Sequence, residues 1–424
     1  MNWPLAPTDV PIGDGLYAGA RECPSSLENL CQLVRDHRAA GSAIYPQGGA
    51  TALDYGGVPA RPGVVIDVRG LDQVIDYPAG DMTITVEAGM TVQRLTALLA
   101  AEKQRLPLDI PFADRATLGG AFATAVSGPR RFGWGRPRDQ ILGIQFVKAD
   151  GQVVNGGGRV VKNVAGYDFP KLLTGSLGSL GILTQMTLRV RPIPESSAVA
   201  FASCPTLEDA AEALERLNLS ETRPVALELL NPSAVGWYQS RGLPLISGAW
   251  TVVVGLEDNQ AAVSWQVEKL REELGSLGAK LEVLSDGHAD PAWDALMHFA
   301  VQPPGRLTLK VSVRPSEVPN LFGELDSGLW ALQAHAGNGI VWCHWIGPSE
   351  GNSLADLLPE VDRVRSLAIR GGGTLMIPHC PTPWKERLRV WGEPRSEWPL
   401  MARIKETLDP EGVMNPGRFL GTIH

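Results

Sequence analysis

Two dense glycine clusters stand about sixty residues apart, at 117–120 (T-L-G-G) and 175–183 (G-S-L-G-S-L-G-I-L), and they constrain this chain more than any other feature. Gly119 and Gly120 carry no Cβ, so the backbone there can approach an anion closely. The mostly apolar run 121–126 behind them reads as a helix whose first turn leaves amides unpaired. Gly175, Gly178 and Gly181 recur at every third position just before a strand pattern of Leu183, Met186, Leu188 and Val190. Such a run can pass edge-on to a flat ring where side chains would collide. A chain with 47 glycines has many ordinary turns. Two clusters in this order point instead to a cofactor's phosphates and heteroaromatic ring.

The pattern is not the common dinucleotide fingerprint, because no G-x-G-x-x-G opens a helix after a strand with an acidic residue about twenty positions on. A third glycine segment lies upstream instead, at 44–54 (I-Y-P-Q-G-G-A-T-A-L-D), after a helix expected over about 27–40. The segments 46–51, 86–89 (V-E-A-G), 117–120, 166–168 (G-Y-D) and 175–182, in this order and spacing, resemble the FAD-binding domain of the vanillyl-alcohol oxidase (PCMH-type) flavoprotein family over roughly residues 5–195. More narrowly, 161–169 (V-K-N-V-A-G-Y-D-F) and 408–419 (L-D-P-E-G-V-M-N-P-G-R-F) resemble the FAD-binding E-subunit family of bacterial glycolate oxidases.

The resemblance implies a role for each glycine segment. Gln47, Gly48, Gly49, Ala50, Thr51 and Ala52 would wrap the FAD diphosphate with backbone amides and the Thr51 hydroxyl. Pro111, Thr117, Leu118, Gly119, Gly120, Thr124 and Gly128 would flank the diphosphate and the ribityl side, while Gly181 and Ile182 would meet the flavin pyrimidine edge. Asn415 would return the chain end to the flavin. The first loop has Gln47 where relatives often have a basic residue and Ala50 where some have a histidine that bonds the ring, which implies non-covalent FAD. The resemblance also implies an oxidoreductase component that pairs with a larger FAD subunit and an iron–sulfur subunit to oxidise glycolate, a small 2-hydroxy acid, to glyoxylate.

Beyond the flavin segments, the two prolines of R-P-I-P at 191–194 stop a strand and fix an extended linker. The chain is therefore expected to divide into an α+β, two-lobed FAD-binding domain at 1–194, a cap at 195–380 and a C-terminal segment at 381–424 that packs back on the first domain. In the cap, the order strand, helix, strand, strand, helix, strand occurs twice, which reads as two ferredoxin-like halves. The cap is expected to supply the substrate side. Relatives that oxidise 2-hydroxy acids carry H-x-G-D-G-N-x-H and G-E-H-G segments there, whose histidines and glutamate bind a divalent metal or the substrate carboxylate. This chain has H-A-G-N-G-I-V-W at 335–342 and G-G-G-T-L-M-I-P-H at 371–379. His335 survives, but Asn338, Trp342, Met376 and Ile377 stand where the other ligands would be, so no metal and no catalytic residue is assigned. His335, His344 and His379 are the imidazoles that could still converge.

The remaining features are exclusions. A net charge of −8 argues against a nucleic-acid footprint. The arginines between 129 and 138 read either as a solvated loop or as a docking or redox-tuning patch. Five cysteines without C-x-x-C spacing argue for free thiols rather than an iron–sulfur cluster in this chain. No apolar run approaches the ~18 residues that span a bilayer. The expectation is a cytoplasmic protein, peripheral at the inner face of the membrane only through partners. An independent FAD-dependent 2-hydroxy-acid dehydrogenase, and a non-catalytic scaffold that keeps the fold, remain as alternatives.

Overall fold

The computed structural model describes residues 10–158, 166–348 and 354–419, so the motif residues 161–165 lie outside the described residues. The chain is an α+β protein of two compact units. One takes the residues up to Ser127, Arg136–Ile193 and those from Pro394 onward; the other takes Gly128–Gly135 and Pro194–Glu393. Among the described residues no helix is long and apolar enough to cross a membrane.

In the first unit, Ala20–Glu22, Gly63–Asp67 and Ala43–Gln47 form a parallel sheet with Gly63–Asp67 in the centre. Helix Leu27–Ala39 buries Leu30, Cys31 and Val34 against Ile44, Val64 and Ile66 of that sheet. It starts where the Ser26 side chain accepts from the Asn29 amide, a serine N-cap. A second sheet runs Val153–Gly157, Ile141–Val147, Ile182–Arg189, Thr83–Glu87, Val74–Asp76, every pair antiparallel. Its hairpin turns at Gly151, whose φ of 73° is open to a residue without Cβ.

The chain end joins the small sheet. Ile44 N–H donates to Val413 O and Asn415 N–H to Ile44 O, each at 2.8 Å, so the segment around Met414 adds a parallel rung beside Ala43–Gln47. Lys405, on helix Trp398–Leu408, locks this return. Its ammonium pairs with Asp409 and donates to Ser179 O at 2.7 Å and Met414 O at 3.0 Å. The return begins at Pro394 and not at 381, because Leu388 and Val390 are buried in the second unit's core and Ile377 N–H donates to Val390 O at 2.8 Å.

The second unit is one eight-stranded antiparallel sheet. Its strands in chain order are β1 Ser196–Cys204, β2 Ala226–Leu230, β3 Trp250–Asp258, β4 Lys280–Ser285, β5 Thr308–Ser312, β6 Trp330–His335, β7 Ile340–Trp345 and β8 Thr374–His379. Their spatial order is β4-β1-β3-β2-β6-β7-β5-β8. Each half is thus a β-α-β-β-α-β motif of order 4-1-3-2, and the halves fuse where β2 pairs with β6, Glu228 opposite His335. Helices Leu207–Leu219, Gln260–Gly275, Val318–Glu324 and Leu354–Arg370 contribute to the main core of this unit.

Two helices that the strand and helix rhythm does not reveal, Pro232–Gln239 and Asp290–His298, build a second core with Val199, Phe201, Val253 and Trp342. Both carry proline in the first turn, where its missing N–H costs nothing. The residues 128–135, expected to belong to the flavin domain, belong here. Arg130 Nε donates to the buried Glu257 carboxylate at 2.7 Å while its guanidinium lies 3.7 Å from the Trp293 ring centroid. Trp134 Nε1 donates to the same carboxylate at 3.0 Å, and Gly133 N–H donates to Val225 O at 3.0 Å. Arg130 is therefore a structural anchor, not part of a solvated loop.

Candidate functional site

The expected glycine segments of the first unit meet around an open cleft of about 950 Å³, its mouth included. Gln47, Gly48, Gly49, Ala50, Thr51, Ala52, Thr117, Gly119, Gly120, Thr124, Gly181, Ile182 and Asn415 all line it. Their convergence has a local cause. Ala43–Gln47 ends at the cleft and the chain turns through residues 48–55, where Ala50 takes a left-handed φ of 56°. Among the described residues, the backbone amides of Gly48, Gly49, Ala50, Thr51 and Ala52 donate to no protein acceptor. Five successive amides without an internal partner form the kind of nest that binds an anion.

The loop can lie this close to its neighbours only without side chains. A Cβ on Gly48 would stand 2.0 Å from Thr117 Oγ1, and one on Gly49 would stand 1.8 Å from Arg115 O. Gly181, at φ 148°, would bring a Cβ to 2.7 Å from Val147 O. Leu177 (φ 54°) and Asn415 (φ 45°) line the same cleft in left-handed conformations that cost a branched or β-carbon-bearing residue on the order of 1 kcal/mol each. Asn415 is held there by its Nδ2, which donates to Leu177 O at 2.5 Å.

The helix behind Gly119 and Gly120 differs from expectation. It spans Leu118–Thr124, begins at a Thr117 cap and ends at Ala125, φ 54°. Its first amides are already used: Leu118 N–H donates to Met90 O at 3.0 Å, Gly119 N–H to Ala88 O at 2.7 Å and Gly120 N–H to Thr117 Oγ1 at 3.3 Å. The amides left without an internal partner are thus those of the first loop, not those at the start of this helix. The Thr124 hydroxyl donates to Gly120 O at 2.9 Å. Leu118 is fully buried in the core, Pro111 does not line the cleft, and Gly128 belongs to the second unit.

One charged residue that the sequence reading did not single out lines the cleft. Arg418, 3% exposed, donates to Asp14 Oδ2 at 2.5 Å, to Gly57 O at 2.7 Å and to Ile12 O. Its signal was an arginine next to N-P-G at 415–417, but only the folded chain puts it beside Tyr45 and the loop. The Tyr45 hydroxyl donates to Arg61 O at 2.5 Å, and burial raises its pKa to about 12, so it stays neutral. Gln47 turns its amide away to Pro11 O at 3.0 Å. The lining includes neither histidine nor cysteine.

In the second unit the surviving imidazole is fully committed. His335, 2% exposed, faces both oxygens of the buried Glu228 carboxylate through Nδ1 at 2.8 Å. Trp342 Nε1 donates to its Nε2 at 3.3 Å. An indole N–H can only donate and a carboxylate can only accept, so the ring is the neutral Nδ1–H tautomer with its one lone pair occupied. Gln333 extends the network, donating to Glu228 at 2.7 Å and accepting from the Tyr238 hydroxyl at 2.6 Å. His344 is equally spent on Thr308 Oγ1 (2.9 Å) and Phe299 O (2.7 Å), and desolvation lowers its pKa to about 3. Among the described residues no group of three His, Cys, Asp or Glu side chains comes together as a metal site. Trp330, Trp342 and Trp345 pack in the sheet, the first and last edge-to-face at 5.1 Å.

Comparison with known proteins follows the same division. Residues 20–157 match the FAD binding domain family and residues 193–419 match the C-terminal domain of FAD linked oxidases. The chain is 28% identical to D-2-hydroxyglutarate dehydrogenase of Xanthomonas citri pv. viticola over 94% of its own length and 88% of that protein's. It is 35% identical to glycolate oxidase subunit GlcE of Escherichia coli over 42% of this chain and 50% of that one. Among solved structures, alkyldihydroxyacetonephosphate synthase shares the fold with a TM-score of 0.68 at 19% identity, over 93% of this chain and 76% of that one. FAD fits the cleft on the geometry alone, since unpartnered amides suit its diphosphate and Gly48, Gly49 and Gly181 leave room where a Cβ would intrude. The chain therefore belongs to the FAD-linked oxidases, with FAD as its cofactor.

Proposed function

We propose that this chain is the FAD-binding subunit of a glycolate-oxidase-type complex, which oxidises a short 2-hydroxy acid such as glycolate to the 2-oxo acid. FAD, when bound, supplies the two-electron redox chemistry. The chain's own residues orient it: the amides of 48–52 and Thr51 hold the diphosphate, Gly181 and Ile182 approach the ring edge, and Asn415 and Arg418 fix the wall opposite. With no histidine or cysteine in that wall, the flavin is held non-covalently.

The subunit role is carried by one observation, the closed hydrogen-bond set of His335. Removing the hydroxyl proton of a 2-hydroxy acid needs a base with an open lone pair. At this family position the lone pair is taken by Trp342, which leaves the proton-accepting work to the larger FAD subunit, with electrons passing on to an iron–sulfur subunit. The reading keeps the complex in the cytoplasm, meeting a membrane only through its partners. D-2-hydroxyglutarate and D-lactate dehydrogenases are among the relatives that span nearly the whole chain, which favours a second reading, an independent FAD-linked 2-hydroxy-acid dehydrogenase.

Stopped-flow mixing of the FAD-loaded chain with glycolate or D-lactate separates the two. Slow or absent bleaching of the flavin band alone, with rapid bleaching after co-expression with the larger FAD and iron–sulfur subunits, is expected. Rapid bleaching of the lone chain would establish the independent dehydrogenase.

A further inference from the structure

A second cavity of the first unit, about 1330 Å³ with its mouth included, adjoins the flavin cleft along the glycine segment 175–181. Leu177, Gly178 and Gly181 line the cleft, whereas Gly175, Ser176, Ser179 and Leu180 line this cavity, and Asn415 lines both. The two share that segment as a wall. The cavity is mostly apolar, with Leu172, Leu180, Met401, Ile404, Pro416 and Phe419 around it. Met401 and Ile404 are neighbours on one face of helix Trp398–Leu408, none of whose residues is buried. Both lysines of the lining are neutralised. Lys171 Nζ pairs with Asp168 at 2.5 Å, and the three donors of Lys405 go to Asp409, Ser179 O and Met414 O. The Thr174 and Ser179 hydroxyls donate to Pro170 O at 2.7 Å and Ser176 O at 2.6 Å. Ser176 differs: it is 4% exposed, and among the described residues its Oγ has no hydrogen-bond partner.

A buried hydroxyl without a partner is costly, and an acceptor atom on a ligand relieves it. With the lining cations already paired, an anion would lose its hydration there for no counter-charge. An uncharged ring that carries a carbonyl oxygen meets both the apolar wall and the hydroxyl. Among such rings the quinones suit a unit of an FAD-linked oxidase, because a quinone takes up two electrons and two protons to become a hydroquinone and the cavity adjoins the flavin cleft. We propose that this cavity binds a quinone, with its ring against Leu180, Ile404 and Phe419 and one carbonyl oxygen accepting from the Ser176 hydroxyl. The site depends on the flavin unit alone and not on which acid is oxidised.

The test is equilibrium dialysis of the FAD-loaded chain against duroquinone, with no hydroxy acid present. Wild type should bind, and Ile404→Trp, which fills the cavity, should weaken binding at least tenfold. Ser176→Ala should weaken it at least fivefold while leaving the urea midpoint unchanged, since that hydroxyl makes no bond within the protein. Flavin absorbance and far-UV circular dichroism confirm that both variants are folded and loaded. Should Ile404→Trp not fold, duroquinone should slow hydrogen exchange of the 398–408 amides in the wild-type chain. Decanoate is the charged, chain-like comparison and should bind at least tenfold more weakly than duroquinone. No duroquinone binding by wild type, undiminished binding by Ile404→Trp, or unprotected 398–408 amides would overturn the proposal. Undiminished binding by Ser176→Ala would remove the hydrogen bond, and tighter binding of decanoate would remove the quinone class. Duroquinone binding in a chain that oxidises no 2-hydroxy acid, alone or with partners, would remove the proposed function and leave this site standing.

Discussion

Gly49→Ala is the sharpest perturbation of the flavin cleft. The added methyl group would sit 1.8 Å from Arg115 O, a backbone atom that no rotamer change can move. Restoring an ordinary contact of about 3.5 Å requires the loop and the 115–117 segment to separate by about 1.7 Å. A hydrogen bond from an amide to a charged phosphate is worth about 1.5–3 kcal/mol, and a shift of that size breaks at least two of those made by residues 48–52. The loss is then on the order of 3 kcal/mol or more, or at least 100-fold in FAD affinity. Gly120→Ala is the matched control, because its Cβ meets only Thr117 Oγ1 at 3.3 Å and its backbone is not left-handed; it should lose less than tenfold. Affinity is read from the quenching of flavin fluorescence on titrating apoprotein, and folding from the circular dichroism of the same samples. Gly48→Ala supplies an internal check, since its clash is with the Thr117 hydroxyl at 2.0 Å and Thr117→Ala should restore part of the affinity. Wild-type FAD affinity in Gly49→Ala would refute the diphosphate loop, as would equal losses in Gly49→Ala and Gly120→Ala.

Acid precipitation of the yellow protein should release all flavin into the supernatant, with none retained on peptides, since the cleft has no histidine or cysteine to tether it. Arg130→Leu removes a guanidinium that pairs with the Glu257 carboxylate, whose side chain is 1% exposed, and should destabilise the second unit by about 3–5 kcal/mol in urea unfolding; a change below about 1 kcal/mol would mean that the other partners of Glu257, Trp134 among them, suffice to satisfy it. His344 is neutral when folded, with a pKa near 3, and titrates near 6.5 when unfolded, so below pH 6.5 the unfolded chain binds a proton that the folded chain does not. Stability should therefore fall by about 1.4 kcal/mol per pH unit from this group as pH drops from about 6 to 4. His344→Gln should be less stable at pH 7 yet show a shallower slope across that window, and an unchanged slope would count against the burial of a neutral ring.

The flavin loops were legible in the sequence because each obeys a local rule. Glycine is needed where a neighbour lies within about 2 Å of a would-be Cβ, the Thr117 hydroxyl at Gly48 and the Arg115 carbonyl at Gly49, or where φ is positive, as at Gly178 and Gly181. The ferredoxin-like halves were legible for the same reason: alternation and helical periodicity are properties of consecutive residues. Helices Pro232–Gln239 and Asp290–His298 were within reach too, through a proline in the first turn that reads equally well as a loop.

What consecutive residues do not encode is which distant groups satisfy one another, and the tertiary structure alone decided those matters. Gly119 and Gly120 look like an anion-binding helix start, but Ala88 and Met90, about thirty residues earlier, supply carbonyls that occupy the first turn. Arg130 looks solvated until Glu257 and Trp293 arrive from far along the chain. His335 looks like a remnant ligand until Glu228, 107 residues away, and Trp342 close both its nitrogens. Hydrogen bonding and charge pairing are settled at about 3 Å, a distance that only the folded chain imposes on residues far apart in sequence.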